Sequence, residues 1–352
     1  MYLSLNWLNE FIPTDCSNSV LDNKLTMLGI EVESIQDYRN KYRKFVVAEV
    51  LEKEKHPDAD KLSICQVNDG TGTITVVCGA PNVAAGQKVV FAQEGAIVPN
   101  GGWKIEKRKV RKVESCGMIC SKAELELEGD HSGIWELPTE TTVGTPLADF
   151  LGLNDTVFEI SMTPNRPDCL NHIGIARELS AESGREIKLP VFDLKETGAP
   201  IAEQTSVEVL DSEKCPRYMA RLIRGAKITE SPEWLRNRLI ACGTRPINAA
   251  VDVTNLVLLE CGQPLHAFDF GKLQGGRIVV RTVADGEKFT TLDGKERTLD
   301  SSMLMICDEK SPVAVGGVMG GENSEITDQT TDILIESAYF APSSVRRTAK
   351  KL

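Results

Sequence analysis

Between residues 41 and 150 the apolar residues fall in short runs, at 45–51, 62–67, 74–77, 89–92 and 134–137, separated by turn signals such as Asp69-Gly70 and Gly101-Gly102. Runs this short do not suit helices that bury a face. Five or so short strands in about 110 residues predict a small closed β-barrel.

The flanks have a different texture. Leu21, Leu25 and Leu28 recur at helical spacing after the polar residues 17–19, with Gly29 as a stop. Residues 1–40 therefore predict two short helices, too little chain to bury a core alone. The helical pattern returns at 168–183, where Asp168 is placed to cap the first turn and Gly184 to end the run, while Leu170, Ile173, Ala176 and Leu179 share a face. We expect residues 1–40 and 151–190 to form one split domain around an inserted barrel at 41–150. The stretch 190–203 (PVFDLKETGAPIAE) predicts a linker. Residues 204–352 mix a helix opened by Ser231, with Pro232 at the first helical position, and closed by Gly243, with strands around 277–283, 303–307 and 332–338 and a hairpin at Asp293-Gly294. The expected fold class is α+β and multidomain: a split small α/β domain with an inserted barrel, followed by a mixed α+β domain.

Composition narrows the function classes. Lys plus Arg is 40 and Asp plus Glu 51, a net charge of −11. Such a chain repels polyanions at long range, so a nucleic-acid role has to rest on a local basic patch. No apolar run approaches the ~20 residues of a bilayer helix. The N-terminus MYLSLNWLNEF lacks the basic start and long apolar run of a secretory signal. We expect a cytoplasmic protein without membrane contact. Of ten cysteines only Cys116 and Cys120 are close, with no nearby His, so no metal site is expected.

One dense basic patch exists, GGWKIEKRKVRK (101–112), with Lys104, Lys107, Arg108, Lys109, Arg111 and Lys112 beside Trp103. Such cations suit phosphates and the indole can stack on a base; a solvated hairpin face is the plainer reading. Toward the C-terminus, period-two alternation puts Glu336 on one strand face with Leu334, Ala338 and Phe340. A carboxylate among apolar neighbours needs a partner or a purpose. His266 falls in a predicted loop after Gly262 and Pro264. The glycines of GGVMGG (316–321) lack phosphate-loop spacing but permit close backbone approach, with bare amides as donors.

At this point motifs carry a resemblance. HPDADKL (56–62), VVCGAPNV (76–83) and GMICSKAELEL (117–127), in this order and spacing, resemble the tRNA-binding OB-fold module of bacterial phenylalanyl-tRNA synthetase beta subunits, which stand-alone tRNA-binding proteins share. EISMTPNRPDCLNHIGIARE (159–178) resembles the TPNR-x-DCL segment that follows this module in the same subunit, whose first domain is likewise split. DVTNLVLLECGQPLHAFD (252–269), GGVMGG and ILIESAYF (333–340) resemble its B3/B4-type editing domain, which hydrolyses tyrosine mischarged onto phenylalanine tRNA.

The resemblance implies an OB-fold at 41–150 and an editing domain at 204–352. It implies that Glu336 accepts the tyrosine hydroxyl, that His266 and Asn255 line the pocket and place the hydrolytic water, and that amides near Gly316 and Gly320 hold the substrate's polar groups. Implied partners are tRNA(Phe) and the synthetase alpha subunit, in an α2β2 heterotetramer. ATP and Mg are implied only as cofactors of the alpha subunit, with none on this chain. Family members continue past RRTAKKL, where further pocket residues lie, so the chain corresponds to their N-terminal part and is not expected to aminoacylate alone. A non-enzymatic tRNA-binding or RNA-chaperone module is the alternative from another class, and it leaves Glu336 and His266 without a use. A third reading treats 204–352 as a protein-interaction scaffold.

Replacing Lys107, Arg108 and Lys109 with Ala is expected to weaken tRNA binding and to flatten its salt dependence, by roughly 0.7–0.9 in log–log slope for each phosphate no longer neutralised. Filter binding across a salt series measures this. An unchanged slope in a folded variant removes the patch from the binding surface.

Overall fold

The structure is a computed structural model that describes residues 1–127 and 132–352. It is a mixed α/β chain that divides into two compact units, Ser34–Glu159 and Met1–Glu33 with Ile160–Leu352. Among the described residues no helix is long and apolar enough to cross a membrane.

In the unit Ser34–Glu159 the long strand Phe45–Lys55 pairs antiparallel with Ser63–Asn68 on one side and Lys88–Ala92 on the other, and Thr73–Cys78 extends the sheet beyond Ser63–Asn68. Lys88–Ala92 also pairs with Met118–Ile119 and Glu136–Leu137. The sheet nearly closes on itself: the Cys116 amide donates to the Thr75 carbonyl at 3.0 Å, and the Val77 amide to Ser115 Oγ at 3.0 Å, just before Met118–Ile119 joins the other side. Alternation explains the core. Val89 and Phe91 enter one buried cluster with Ala48, Val50, Val67 and Val76, while Val90 and Ala92 enter a second with Phe45, Val47 and Leu147. Both faces of this strand are thus covered, which is why its five residues are almost wholly apolar.

The second unit packs two sheets around one core. Arg217–Ile223, Ile333–Tyr339 and Leu265–Asp269 form a three-stranded antiparallel sheet with Ile333–Tyr339 in the centre. The other sheet runs in the order Val207–Val209, Ile278–Thr282, Leu304–Cys307, Pro312–Val315, Met319–Gly320. Phe268 and Leu334 from the first meet Ile278, Val280, Leu304, Ile306 and Val313 from the second. The helices Leu5–Phe11, His172–Ser183 and Ala249–Cys261 belong to the same unit. Asn248 caps the last of these through the Val251 amide at 3.1 Å, and Gly262, at φ +81, ends it.

Several local expectations change. The helix expected from 168 starts at His172, because Asn171 caps it through the Gly174 amide at 2.7 Å while Asp168 is held by Arg166 at 2.9 Å. Pro232 is the N-cap of Glu233–Ala241 rather than its first helical residue. Segment 184–200 carries no helix or strand, and Val191 and Phe192 there are 95% and 78% exposed. The basic patch contains a tight hairpin, Arg108–Val110 with Val113–Ser115, whose two turn residues Arg111 and Lys112 both take positive φ, 44° and 73°. That is the geometry a two-residue hairpin demands, adopted here without glycine.

Gly117 sets a limit on the barrel. Its φ is +115°, and a Cβ there would lie 2.2 Å from the ring of Phe91, which is fully buried. Gly86, at φ +85°, has nothing within 4 Å of the corresponding position. Gly117→Ala is expected to cost about 2–5 kcal/mol, backbone strain plus overpacking, and Gly86→Ala only about 1–2 kcal/mol of strain. Urea unfolding of both variants checks this, and equal losses would show that Phe91 gives way freely.

Candidate functional site

A cavity of about 780 Å³ opens in the second unit beside the paired strands Leu265–Asp269 and Ile333–Tyr339. Its wall is largely apolar, with Leu265, Leu292, Ile306, Val315, Ala338 and Phe340. The charged side chains that line it are Glu336 and, from the helix Pro342–Lys351, Arg346. Glu336 and His266 stand directly opposite each other in the antiparallel register, so both side chains leave the same face of the sheet.

Glu336 is 8% exposed. Its Oε2 accepts a hydrogen bond from the Tyr218 hydroxyl at 2.6 Å, across 118 residues of sequence. Burial pushes the carboxyl up to about 7, against the Tyr218 bond, which favours the charged form. Tyr218 is raised well above its ordinary value, first by burial and then by the Glu336 charge, so its proton stays on and it is the donor. His266 is driven down to about 4 by burial and is a neutral imidazole near neutrality. Its ring lies edge-on to Phe268 with centroids 4.5 Å apart. With no protein partner on either nitrogen among the described residues, it offers the cavity one donor and one acceptor.

The structure places the remaining expected residues as follows. His266 lies inside the strand Leu265–Asp269, not in a loop; the punctuation at Gly262 and Pro264 precedes the strand instead of replacing it. Asn255 does not line the cavity: it sits in the middle of the helix Ala249–Cys261, whose approach to the site comes only where the chain leaves it, at Gly262–Pro264. The Gly316 amide is not free for a ligand, because it donates to the Leu304 carbonyl at 2.9 Å. Gly320 does line the wall, but its missing side chain makes room for protein: a Cβ there would lie 2.6 Å from His266 Cε1. Sequence reasoning passed over Tyr218 and Arg346. The signal for Tyr218 was available, since alternation along Arg217–Ile223 puts Tyr218, Ala220 and Leu222 on one inward face.

The basic patch forms a separate candidate surface in the unit Ser34–Glu159. Lys104 and Lys107 line an open, polar cavity of about 810 Å³ together with Arg43, Lys44, Glu94 and Glu106. Lys107 pairs with Glu114 at 2.6 Å. Arg111 donates to the Asp58 carbonyl at 2.8 Å and Lys112 lies 3.9 Å from its carboxylate. Lys104, Arg108 and Lys109 have no carboxylate within ion-pair distance among the described residues. Trp103 is 47% exposed, as a stacking platform has to be.

Two family profiles match the chain: "Putative tRNA binding domain" over residues 45–146 and "B3/4 domain" over residues 214–352. Curated relatives align with all of it. Proteins named "Phenylalanine--tRNA ligase beta subunit" from Geobacter sulfurreducens and Geobacter metallireducens are each 53% identical over 352 residues, and one from Syntrophus aciditrophicus is 48% identical. The chain spans 44% of the length of each of these relatives.

The shifted groups set a pH dependence of opposite signs. Between about 4.5 and 7 the folded Glu336 keeps a proton the unfolded chain has released, so this group lowers stability as pH rises through that window. Between about 4 and 6.5 His266, and the buried His172 that burial likewise holds down to about 4, refuse protons the unfolded chain binds, so both raise stability with pH. Glu336→Gln removes the falling contribution. Its stability is expected to climb more steeply than that of the parent from pH 4.5 to 6.5, by roughly 1 kcal/mol per pH unit, somewhat less than one full proton's worth. Urea midpoints across this range measure the slope, and identical slopes would place the Glu336 carboxyl at its ordinary value.

Proposed function

The chain is related along its whole length to phenylalanine–tRNA ligase beta subunits, and from that premise we propose that it binds tRNA(Phe) through an OB-fold module and hydrolyses tyrosine mischarged onto that tRNA in a B3/B4-type editing site. The observation that carries this reading is the Glu336 carboxylate in the wall of an otherwise apolar cavity. An apolar wall accepts an aromatic ring, and one buried acceptor distinguishes a ring that bears a hydroxyl from one that does not. The task calls for such a device. A synthetic pocket shaped for phenylalanine rejects an added hydroxyl by only ~100-fold, so a second site has to recognise the hydroxyl itself.

The chemistry needs little apparatus, because an aminoacyl ester is an activated bond. Water attacks the ester carbonyl, the bond to the ribose oxygen breaks, and the products are free tyrosine and the tRNA hydroxyl. His266, unprotonated and open to the cavity, takes the proton from the attacking water and returns it to the leaving ribose oxygen. Such a weak base contributes mainly by placing the water. Asn255, outside the wall, has no part in this reading. Arg346 supplies positive charge for the RNA end of the substrate. Synthesis, with ATP and Mg, falls to an alpha subunit in a cytoplasmic α2β2 assembly. The cationic face around Lys104, Arg108 and Lys109 meets RNA phosphates, with Trp103 stacked on a base.

Hydrolysis of tyrosyl and phenylalanyl esters of the same tRNA, in a full-length enzyme, tests the reading. Glu336→Ala is expected to lower tyrosyl ester hydrolysis by the worth of one buried hydrogen bond, about 1–3 kcal/mol, and to raise the phenylalanyl rate, because a phenyl ring no longer desolvates the carboxylate. His266→Ala is expected to slow both. Tyrosine selectivity that survives Glu336→Ala in a folded enzyme would assign hydroxyl recognition to another residue.

A further inference from the structure

Glu336 is engaged on one oxygen only. Oε2 is taken by Tyr218 at 2.6 Å; Oε1 accepts from no described residue and is not among the sealed polar atoms left without a partner, so it is reached from the cavity. Tyr218 itself does not line that cavity. It stands on the neighbouring strand Arg217–Ile223 opposite Ala338, one step along the same face from Glu336, and it packs into the core between the sheets. The phenol therefore approaches the carboxylate from the protein side while the cavity approaches it from the other.

We propose that Tyr218 is a positioning residue for ligand recognition: by holding Oε2 it fixes the carboxylate plane and leaves Oε1 as the single acceptor offered to a hydroxyl-bearing aromatic ligand. This rests on the reading of the cavity given above as a site for a tyrosyl group. The arrangement is self-similar, since one phenol of the protein presents the carboxylate to the phenol of the ligand. A carboxylate without Tyr218 would have two equivalent oxygens and no fixed plane, and an aromatic ligand would have to order it at the moment of binding.

Tyr218 also acts on the charge state. Its bond is what opposes burial at Glu336, so its loss lets burial move the carboxyl further up. The titratable or charged groups around Glu336 are Tyr218 on its strand, Cys215 just before that strand, His266 on Leu265–Asp269, and Arg346 from the helix across the cavity. Cys215 and Tyr218 keep their protons and His266 is neutral, which leaves Tyr218 as the one group donating a hydrogen bond to the carboxylate among the described residues.

The test uses a full-length enzyme, as above, with two readouts. The first is an infrared titration of Glu336 without ligand, with Glu336→Gln as the blank that identifies its band. The second is calorimetric binding of tyrosinamide against phenylalaninamide, uncleavable stand-ins for the two esters. Tyr218→Phe, which keeps the ring, is expected to raise the protonation midpoint by about one pH unit. At pH 7 it is expected to cut the preference for tyrosinamide roughly tenfold; raising the pH past the new midpoint should restore the part lost to protonation and leave unrestored the part lost with the fixed carboxylate plane. A fluorotyrosine placed at 218 keeps ring and hydroxyl but is a stronger donor, and is expected to move the midpoint down, which guards against misfolding of the Phe variant. Adding Tyr218→Phe to Glu336→Gln should change the ligand preference no further. An unmoved midpoint in both variants, or a moved midpoint with an intact preference, overturns the proposal. A parent protein that shows no preference for tyrosinamide, while the midpoint still moves in Tyr218→Phe, sinks the tyrosyl reading of the cavity and leaves the coupling of Tyr218 to Glu336 standing.

Discussion

One buried imidazole ties together three helices drawn from the two stretches of chain that make up the larger unit. His172 opens the helix His172–Ser183, accepts the Ser4 amide on Nε2 at 3.1 Å and donates from Nδ1 to the Leu259 carbonyl at 2.8 Å. A carbonyl can only accept and an amide can only donate, so the ring is held in a single neutral tautomer. Each bond satisfies a group that local structure leaves open. The Ser4 amide lies at the start of Leu5–Phe11, and the Leu259 carbonyl belongs to the last turn of Ala249–Cys261. Trp7 covers the ring at 4.0 Å between centroids, which seals both bonds from water. Just past Leu259, Gly262 ends the helix against Asn171, with 2.8 Å between a Cβ at that position and the Asn171 amide nitrogen. The chain is thereby aimed into Leu265–Asp269, and His266 arrives opposite Glu336. The geometry of the cavity therefore depends on an interaction that touches none of its lining.

The same low-polarity surroundings act differently on the three titratable groups. His172 and His266 respond to burial by staying neutral, which costs nothing further at neutral pH. Glu336 responds by holding its proton to higher pH, and Tyr218 limits how far. A fully apolar residue at 336 would pack more easily between Leu334 and Ala338. On the proposed reading, the carboxylate and the phenol that reaches it across 118 residues of sequence serve recognition and not packing.

Much of this was readable from residue order, and the failures share a cause. Four of the five short apolar runs fall largely within strands of the barrel sheet, and alternation placed Glu336 on the face with Leu334, Ala338 and Phe340. These features depend on near neighbours. What order alone did not supply depends on distant ones. Asp168 and Asn171 are equally good caps by type, and only the pull of Arg166 on Asp168 decides between them. Gly316 looked like a free donor until Leu304, twelve residues back, claimed its amide. Asn255 belongs to a motif that runs straight into His266, yet the helix carries it away from the wall before the chain turns. The hairpin in the basic patch gave no turn signal, because Arg111 and Lys112 take a conformation that glycine or asparagine normally announces.

On the proposed reading, a carboxyl that burial pushes up to about 7 is at first sight a poor acceptor to build recognition on, since near neutrality half of it carries a proton. The chemistry of a hydroxyl removes the objection. A phenol both donates and accepts, so it can give a hydrogen bond to the ionised Oε1 or take one from the protonated form, the first being the stronger. A bare phenyl ring can do neither, and it leaves Oε1 desolvated in either state, a cost that falls on the wrong ligand alone. Discrimination thus varies with pH in size but not in sign. Fixing Oε2 with Tyr218 matters most in the protonated state, because it keeps the one remaining proton or lone pair directed at the cavity instead of back into the protein.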